Sequence, residues 1–544
     1  MNNKLFKVFI ITALFSFLVN YSNAQDKSDW KGGVPEGCTS ITVGKNASID
    51  GSVITSHTDD SHRTRSWMNI IPAKNHNKSE TVCMYKRSQD NEKAMPAYKH
   101  EKIGEIPQVE HTNGFINTAY PCMNTKQVGI GESTFGGRNE LQSDEGLIDC
   151  QRLCKLMLER SSSAREAINI ADELTKKYGW NDFGECLTIS DTKEVWHFEI
   201  LGPGKGKVGA VWVAQRVPDD HIAVNVNAST IKEINLDDTD YFMASENIFE
   251  VAKENAWWNE NETFRFCYAY APDSRKSVAA RRREWRVFDL LAPSLNLDPN
   301  SENYPFSVKP DKKVSLQDLV NIFKDYYQDT PYDMRRNIVS TNAKGKKVIS
   351  PLANPFMPYD QLEIDNVSGG WYHVDKKTNK IQFLGERTIA RWYTMYGTII
   401  QSRDWLPNEI GGVVWLAQDN IASSIYVPVY CSVTDLPESY KTPGRPNGFT
   451  RNSAWWAFNR LGTLTAQRWG DMHKDVDTVW NTWQTEMFEN QKTVEQDALK
   501  MYNKNKPQKT INYVNAYSNK WGEKVVNKAW ELGDFLWTKY DEKF

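Results

Sequence analysis

The chain has 544 residues, 40% of them hydrophobic, enough to bury a core in one large domain or in two or three ordinary ones. Lysine and arginine total 66 against 69 aspartate and glutamate, and the net charge of -3 gives no electrostatic case for nucleic acid or an anionic membrane as partner. A small peptide or similar small molecule is the better default ligand; no cofactor is implied, and a homo-oligomer is left open.

The first residues carry an export address. Lys4 and Lys7 precede an uncharged, mostly apolar run from Val8 to Val19, and Ser22, Asn23 and Ala24 follow with small residues where a signal peptidase reads them. The run is shorter than the roughly 20 residues needed to span a bilayer. It predicts a signal peptide over 1–24 and an exported product, periplasmic or extracellular, free of the membrane after cleavage. An uncleaved anchor is the alternative. Residues 25–37 (QDKSDWKGGVPEG) are polar and lack an apolar period, so they read as a disordered leader.

Structure is expected to begin at Cys38. The stretch CTSITVG alternates as a strand does, Asp50-Gly51 marks a tight turn, and SVITSHT returns as a second strand. Over 144–178 an apolar period through Leu147, Leu153, Leu156 and Leu158 predicts one helix; Ser163 caps a second, with Glu166 completing the capping box and Gly179 ending it. From Glu185 the period changes to two, through ECLTISD, EVWHFEILG, GAVWVAQRV and HIAVNVNA. Strands, then helices, then strands predict helices layered on antiparallel sheet.

Segments 387–405 and 411–430 look mixed, the latter with strand-like GGVVWLA and SSIYVPVY. Residues 452–502 look helical, with Trp455, Phe458, Leu461 and Leu464 on one face, and a final helix is expected over 521–540. There is no repeat, Pro- or Ser-rich linker or low-complexity tract. One domain over 38–544, with a helical extension from about 450, is the simplest organisation.

Eight cysteines, at 38, 83, 122, 150, 154, 186, 267 and 431, invite disulfides in an exported chain, but no CxxC pair or zinc-ribbon spacing is present. Cys150 and Cys154 lie one helical turn apart and read as packing residues. Twenty tryptophans would suit sugar binding, yet Trp196, Trp212 and Trp415 fall at apolar positions and read as core.

The chemistry points to Cys38. A leader ending in glycine just before a cysteine that opens a strand is what a chain needs to cut itself and expose a nucleophile. The freed residue would carry a thiol and an α-amine, and an α-amine with an ordinary pKa of about 7.7–8.0 can act as general base without a histidine. His57, Asp59, Asp60 and His62 have the residue types of a metal site, but successive strand residues face opposite ways, so no metal is expected. Arg281, Arg282 and Arg283 lie in an expected helix; a solvated face is the first reading and capture of a substrate carboxylate the second.

The stretch CTSITVGKNASIDGSVITSHTDD resembles the opening of the dipeptidase A and secernin family. The resemblance continues through YPCMNTKQVGIGEST, EVWHFEILG and VAQRVPDD and returns at QSRDWLPNEIGGVVWLAQDNIASSIYVPVY. It implies an α+β fold, the αββα sandwich of N-terminal-nucleophile hydrolases, with 25–37 removed by self-cleavage. Cys38 would be nucleophile and, through its amine, base; Asp60 would hold that amine. Asn124, in CMN, would supply the oxyanion hole. Asn227, in VNVNA, matches a second asparagine near the amine, with Asn225 two residues away as the alternative. Penicillin V acylase and bile salt hydrolase, more distant relatives, have arginine where His57 stands, which questions how the thiol is activated here.

The function so implied is a secreted cysteine dipeptidase acting through a thioester on Cys38. An amidase for N-acyl amino acids or bile salts is the close alternative, and a tryptophan-rich carbohydrate-binding protein the one from another class.

Overall fold

A computed structural model describes residues 37–90, 92–336, 338–356, 373–375, 380–382 and 387–543. The expected signal peptide, and all of the expected leader but Gly37, lie outside these residues. Gly37 is not leader-like: it opens the first strand.

The first hairpin forms where the alternation predicts it. β1 (Gly37–Val43) and β2 (Val53–Asp60) pair antiparallel with Cys38 opposite Asp59, and every residue of both strands is buried. Short strands follow: β3 (Asn69–Ile71), β4 (Phe115–Asn117), β5 (Met123–Asn124) and β6 (Gly129–Thr134). A separate ribbon of Thr81–Asp90 paired with Ala97–Pro107 is inserted between β3 and β4.

The two expected helices are α1 (Cys150–Arg160), capped by Asp149, and α2 (Ala164–Tyr178), capped by Ser163 and closed at Gly179. Leu147 lies ahead of α1 rather than in it. The capping box is displaced by one residue: the Glu166 carboxylate accepts from Ser162 N and Ser162 Oγ, each at 2.6 Å, instead of from Ser163 N.

The period-two run becomes β7 (Glu185–Ser190), β8 (Val195–Leu201), β9 (Val211–Arg216) and β10 (Ile222–Asn225), followed by β11 (Phe242–Ala244). After α3 (Val278–Leu291) and β12 (Ser307–Val308) come β13 (Thr394–Ser402), β14 (Val413–Gln418) and β15 (Val427–Tyr430). Three helices end the chain: α4 (Ala454–Gln467), α5 (Trp469–Asn503) and α6 (Pro507–Lys539). The last begins at Pro507, well before residue 521, because proline suits a first helical turn whose N–H groups are unpaired anyway. No helix of the described residues is long and apolar enough to cross a membrane.

The strands build a seven-stranded sheet, β12-β10-β1-β2-β13-β14-β15, and an eight-stranded sheet, β11-β9-β8-β7-β6-β5-β4-β3. β1 and β2 pack face to face on β6, and β2 also on β7 and β8. α2 covers the eight-stranded sheet at β7 and β8, while α4 and α6 cover the other at β14 and β15. The result is an α+β sandwich of helix, sheet, sheet and helix.

The apolar core lies largely between each sheet and its helices. Trp196, Trp212 and Trp415 are buried in it, as are Cys150 and Cys154. Between the sheets the contact is hydroxyl-rich. Ser40 Oγ donates to the Glu132 carbonyl at 2.9 Å, Thr42 Oγ1 bonds His197 Nε2 at 2.9 Å, and Thr55 and Thr188 join hydroxyls at 2.6 Å. Only glycine fits at 131, where a Cβ would stand 2.5 Å from both Ser56 O and Thr188 Oγ1. All eight cysteines are unpaired; seven are buried and Cys83 is half-buried.

The helical extension is tied to the sheets by a buried ion pair. Arg403, just beyond β13, donates to Glu495 of α5 at 2.7 Å and to Gly411 O at 2.8 Å, and the same carboxylate accepts from Tyr430 at 3.2 Å. Glu495→Ala would leave the Arg403 cation buried without a partner, which typically costs about 3–5 kcal/mol. Urea unfolding followed by tryptophan fluorescence should show a loss of that order, and a much smaller one in the double variant Arg403→Met, Glu495→Leu. A single-variant loss below about 1 kcal/mol, the range of an exposed pair, would show that the pair does not anchor α5.

Candidate active site

β1 presents two different environments to its neighbours. The Cys38 and Ser40 side chains share one face and meet the eight-stranded sheet, where Cys38 Sγ donates to Glu132 Oε2 at 3.1 Å. His57 Nε2, from β2, lies 3.2 Å from the same oxygen, a close contact that does not meet hydrogen-bond geometry. All three side chains are buried.

The backbone of Cys38 is held from elsewhere. β10 ends at Asn225, and Asn227 adopts a left-handed φ of 62°, which turns its side chain into the position a strand neighbour would fill. Cys38 N donates to Asn227 Oδ1 at 3.1 Å, and Asn227 Nδ2 in turn donates to Thr134 O at 2.7 Å. Asn225 is committed locally, donating to Ala228 O at 2.9 Å. Of the two asparagines, Asn227 is the one at the cysteine.

Two guanidinium groups converge on that asparagine. Arg283 of α3 donates to Asn227 Oδ1 at 3.0 Å, to Val226 O at 2.7 Å, and to Cys38 O and Thr39 Oγ1 at 2.8 Å each. Arg387 donates to Asn227 Oδ1 at 3.4 Å and forms a buried ion pair with Asp60. Asp60 also accepts from Thr394 Oγ1 at 2.5 Å. A bulge between Asp59 and Asp60 accompanies this turn of β2. Asp60 therefore reaches the Cys38 nitrogen through Arg387 and Asn227.

Gly37 completes the arrangement. A Cβ at this position would stand 2.5 Å from Arg387 Nη1 and 2.9 Å from Asn227 Oδ1, both fixed by their own bonds. No side chain fits ahead of the cysteine.

Electrostatics separate two glutamates. Burial raises Glu132, but His57 and a hydrogen bond from Glu185 overcome it and hold Glu132 ionised. Burial and the Glu132 charge push Glu185 the other way, so it keeps its proton. Thr134 Oγ1 stands between them, 3.0 Å from Glu132 Oε1 and 2.9 Å from Glu185 Oε1. Burial, then Glu132, Asp59 and Asp60, push the Cys38 thiol well above its usual range, so it is protonated at rest.

Several sequence expectations need correction. Asn124 is not aimed at an oxyanion. Its two amide protons go to Leu158 O at 2.8 Å and Ser161 O at 2.9 Å, the end of α1, and its oxygen accepts from Lys126 N and Val128 N. Arg281, Arg282 and Arg283 are buried rather than solvated. Arg281 and Arg282 hold carbonyls of Pro299, Asn300 and Ser301, and Arg283 is fully engaged at Cys38. His57 lies beside Glu132 at the thiol, while the guanidinium that pairs with Asp60 comes from Arg387.

The four residues weighed as metal ligands diverge: Asp59 accepts from Thr64 at 2.7 Å, Asp60 is paired with Arg387, and His62 stacks on Tyr393. Cys38, His57 and Glu132 do bring one donor atom each within 4.8 Å of one another, a set whose chemistry suits zinc. An ion held there would take up the Cys38 thiol.

The sequence reading does not single out Glu132 or Arg387, and it gives Arg283 a solvated or carboxylate-binding role rather than its place at Cys38 and Asn227. For Glu132 a signal existed, since it is the one charge in GIGEST, a strand otherwise of small or apolar residues.

The sequence model of peptidase family C69 matches residues 37–482. The chain is 28% identical over 454 residues to a protein named probable dipeptidase from Latilactobacillus sakei, covering 81% of this chain and 83% of that one. It is 24% identical over 439 residues to dipeptidase A of Lactobacillus helveticus, covering 79% and 81% respectively. A protein named probable dipeptidase B from Lactococcus lactis is 25% identical over 417 residues.

Asn124→Ala removes the acceptor of two backbone N–H groups and a donor to the end of α1. We expect it to cost about 1–3 kcal/mol, the usual penalty for leaving a buried polar group unpaired. Melting temperature should fall while kcat per folded molecule stays within about twofold; a drop in kcat of about a hundredfold, as for a lost oxyanion donor, would return Asn124 to the site.

Proposed function

The chain belongs to peptidase family C69, a family of cysteine peptidases, and from that premise we propose that it is an exported dipeptidase that works through a thioester on Cys38. The observation that carries the proposal is the cradle at the Cys38 nitrogen. Asn227 Oδ1 accepts from it at 3.1 Å, with Arg283 and Arg387 on the same oxygen, so a place suited to an α-amine exists beside the thiol.

Two cuts mature the chain, one after Ala24 by signal peptidase and one between Gly37 and Cys38 by the chain itself. The freed amine then takes the thiol proton as the sulfur attacks the substrate carbonyl. The tetrahedral intermediate collapses, the amine product leaves with that proton, and water hydrolyses the thioester. Asn227, fixed by Thr134 and Arg283, orients the amine toward the sulfur, which supplies the proximity on which such catalysis depends.

The names of the relatives favour dipeptides with a free N-terminus as substrates. An amidase for N-acyl amino acids or bile salts would use the same nucleophile. An unmodified dipeptide should be cleaved at least about 100-fold faster than its N-acetylated form, because a site built to bond the substrate's free ammonium would be left with unpaired polar groups by the acetylated one. Comparable rates would favour the amidase. Intact mass of the active protein should begin at Cys38, and a fully active species beginning at Gln25 would remove self-cleavage from the mechanism.

A further inference from the structure

We propose that Glu132 is the general base for the cut between Gly37 and Cys38, a role it gives up to the α-amine once that amine exists. The inference rests on the self-cleavage put forward above. Before the cut, the Cys38 nitrogen is an amide. It donates a hydrogen bond to Asn227 at 3.1 Å and has no basic lone pair to offer. The base of the mature enzyme is therefore absent from its own maturation.

Glu132 fills the gap by position. Its Oε2 accepts from Cys38 Sγ at 3.1 Å, within the reach a general base needs, and among the described residues no other side chain makes a hydrogen bond to that sulfur. The other acid assigned to the site, Asp60, is tied up by Arg387 and Thr394. The carboxylate is rigid: Thr134 bonds its second oxygen at 3.0 Å, His57 lies 3.2 Å from the first, and Ser40 fixes the backbone carbonyl at 2.9 Å. The thiol already donates to this carboxylate, so an acceptor for its proton is in place as the sulfur attacks.

The step balances without any co-reactant but water. Glu132 takes the Sγ proton as sulfur adds to the Gly37 carbonyl carbon. The tetrahedral centre expels the Cys38 nitrogen, which recovers the proton from Glu132 and leaves as a free amine, still joined through its own residue. Gly37 is now a thioester on Cys38. Water hydrolyses it to the leader carboxylate and the thiol.

The same glutamate thus weighs more on the cut, where no amine exists, than on turnover, where the amine takes the proton, a difference that a purely structural role would not produce. The test uses full-length precursor made by cell-free synthesis, wild type and Glu132→Gln, with intact mass followed over time. A second pair carries, in place of the residues before Cys38, a recognition site for an added protease that cuts directly ahead of it. Loss of a general base typically lowers a rate by about 10²–10⁴-fold. Self-cleavage of Glu132→Gln should slow by at least about 100-fold, and once the added protease has cut, the variant should turn over dipeptide with a loss relative to wild type at least about tenfold smaller than its loss in self-cleavage.

Wild-type precursor adds a check that needs no variant. Between pH 7 and 9 its cleavage rate should stay nearly flat, whereas attack by thiolate formed in free equilibrium would rise about tenfold per pH unit. Maturation of Glu132→Gln at the wild-type rate, or that tenfold rise, would overturn the proposal. So would a variant that stays inactive after the added protease has acted, which would make Glu132 a positioning residue for both reactions. Full activity of wild type with its leader attached would instead overturn self-cleavage itself, and with it this inference.

Discussion

A single hydrogen bond, from Ser40 Oγ to the carbonyl of Glu132 at 2.9 Å, marks where the two sheets must meet for everything else to work. Ser40 and Cys38 share a face of β1, so the register that joins Ser40 to the Glu132 backbone also lays the thiol against the Glu132 carboxylate. A shift of one residue would turn the sulfur away. The approach is possible because residue 131 has no side chain and because hydroxyls, not bulky hydrocarbons, fill the gap around it. Buried hydroxyls are tolerated there because they bond to one another or to backbone carbonyls.

The other requirement is met at the ends of strands. Asn227 ends the pairing of β10 with β1 in a left-handed turn and substitutes a side-chain carbonyl for the missing strand partner of Cys38. That oxygen is the shared acceptor of Arg283 and Arg387, and Arg387 carries the link on to Asp60. The thiol consequently sits in an anionic setting while its backbone sits in a cationic one. Burying charge on both sides of one residue is costly, and the cost is offset by the Arg387–Asp60 ion pair and by the carbonyl and side-chain oxygens that accept from Arg283.

Much of the scaffold was legible. The hairpin at Cys38, α1, α2 and the strands from Glu185 to Asn225 follow from local periodicity and capping. Around Cys38, the sequence pointed to residues that the structure does bring near it, Asp60 in the hairpin and Asn227 beyond the neighbouring strand. Arg283 and Arg387 come from positions far along the chain, and neither periodicity nor composition says which buried cation meets which acceptor. Arg281, Arg282 and Arg283 of α3 looked like a solvated face because charge usually is; here carbonyls of the following loop and of Cys38 replace water. Asn124 misled for a related reason. A short motif identifies a residue type in a turn, but the direction of its amide is set by where α1 ends, which only packing determines.

The eight cysteines, none of them bridged, carry a final consequence. Seven other thiols accompany Cys38, and for six of them, all but the half-buried Cys83, solvent exclusion keeps the sulfur silent where disulfides would elsewhere. Burial pushes Cys122, Cys267 and Cys431 up to about 12 and raises Cys150 and Cys186 as well, which leaves almost no thiolate for an oxidant to find. Resistance to oxidation is thus inherited from the packing of the core, and it lasts only while that core stays closed.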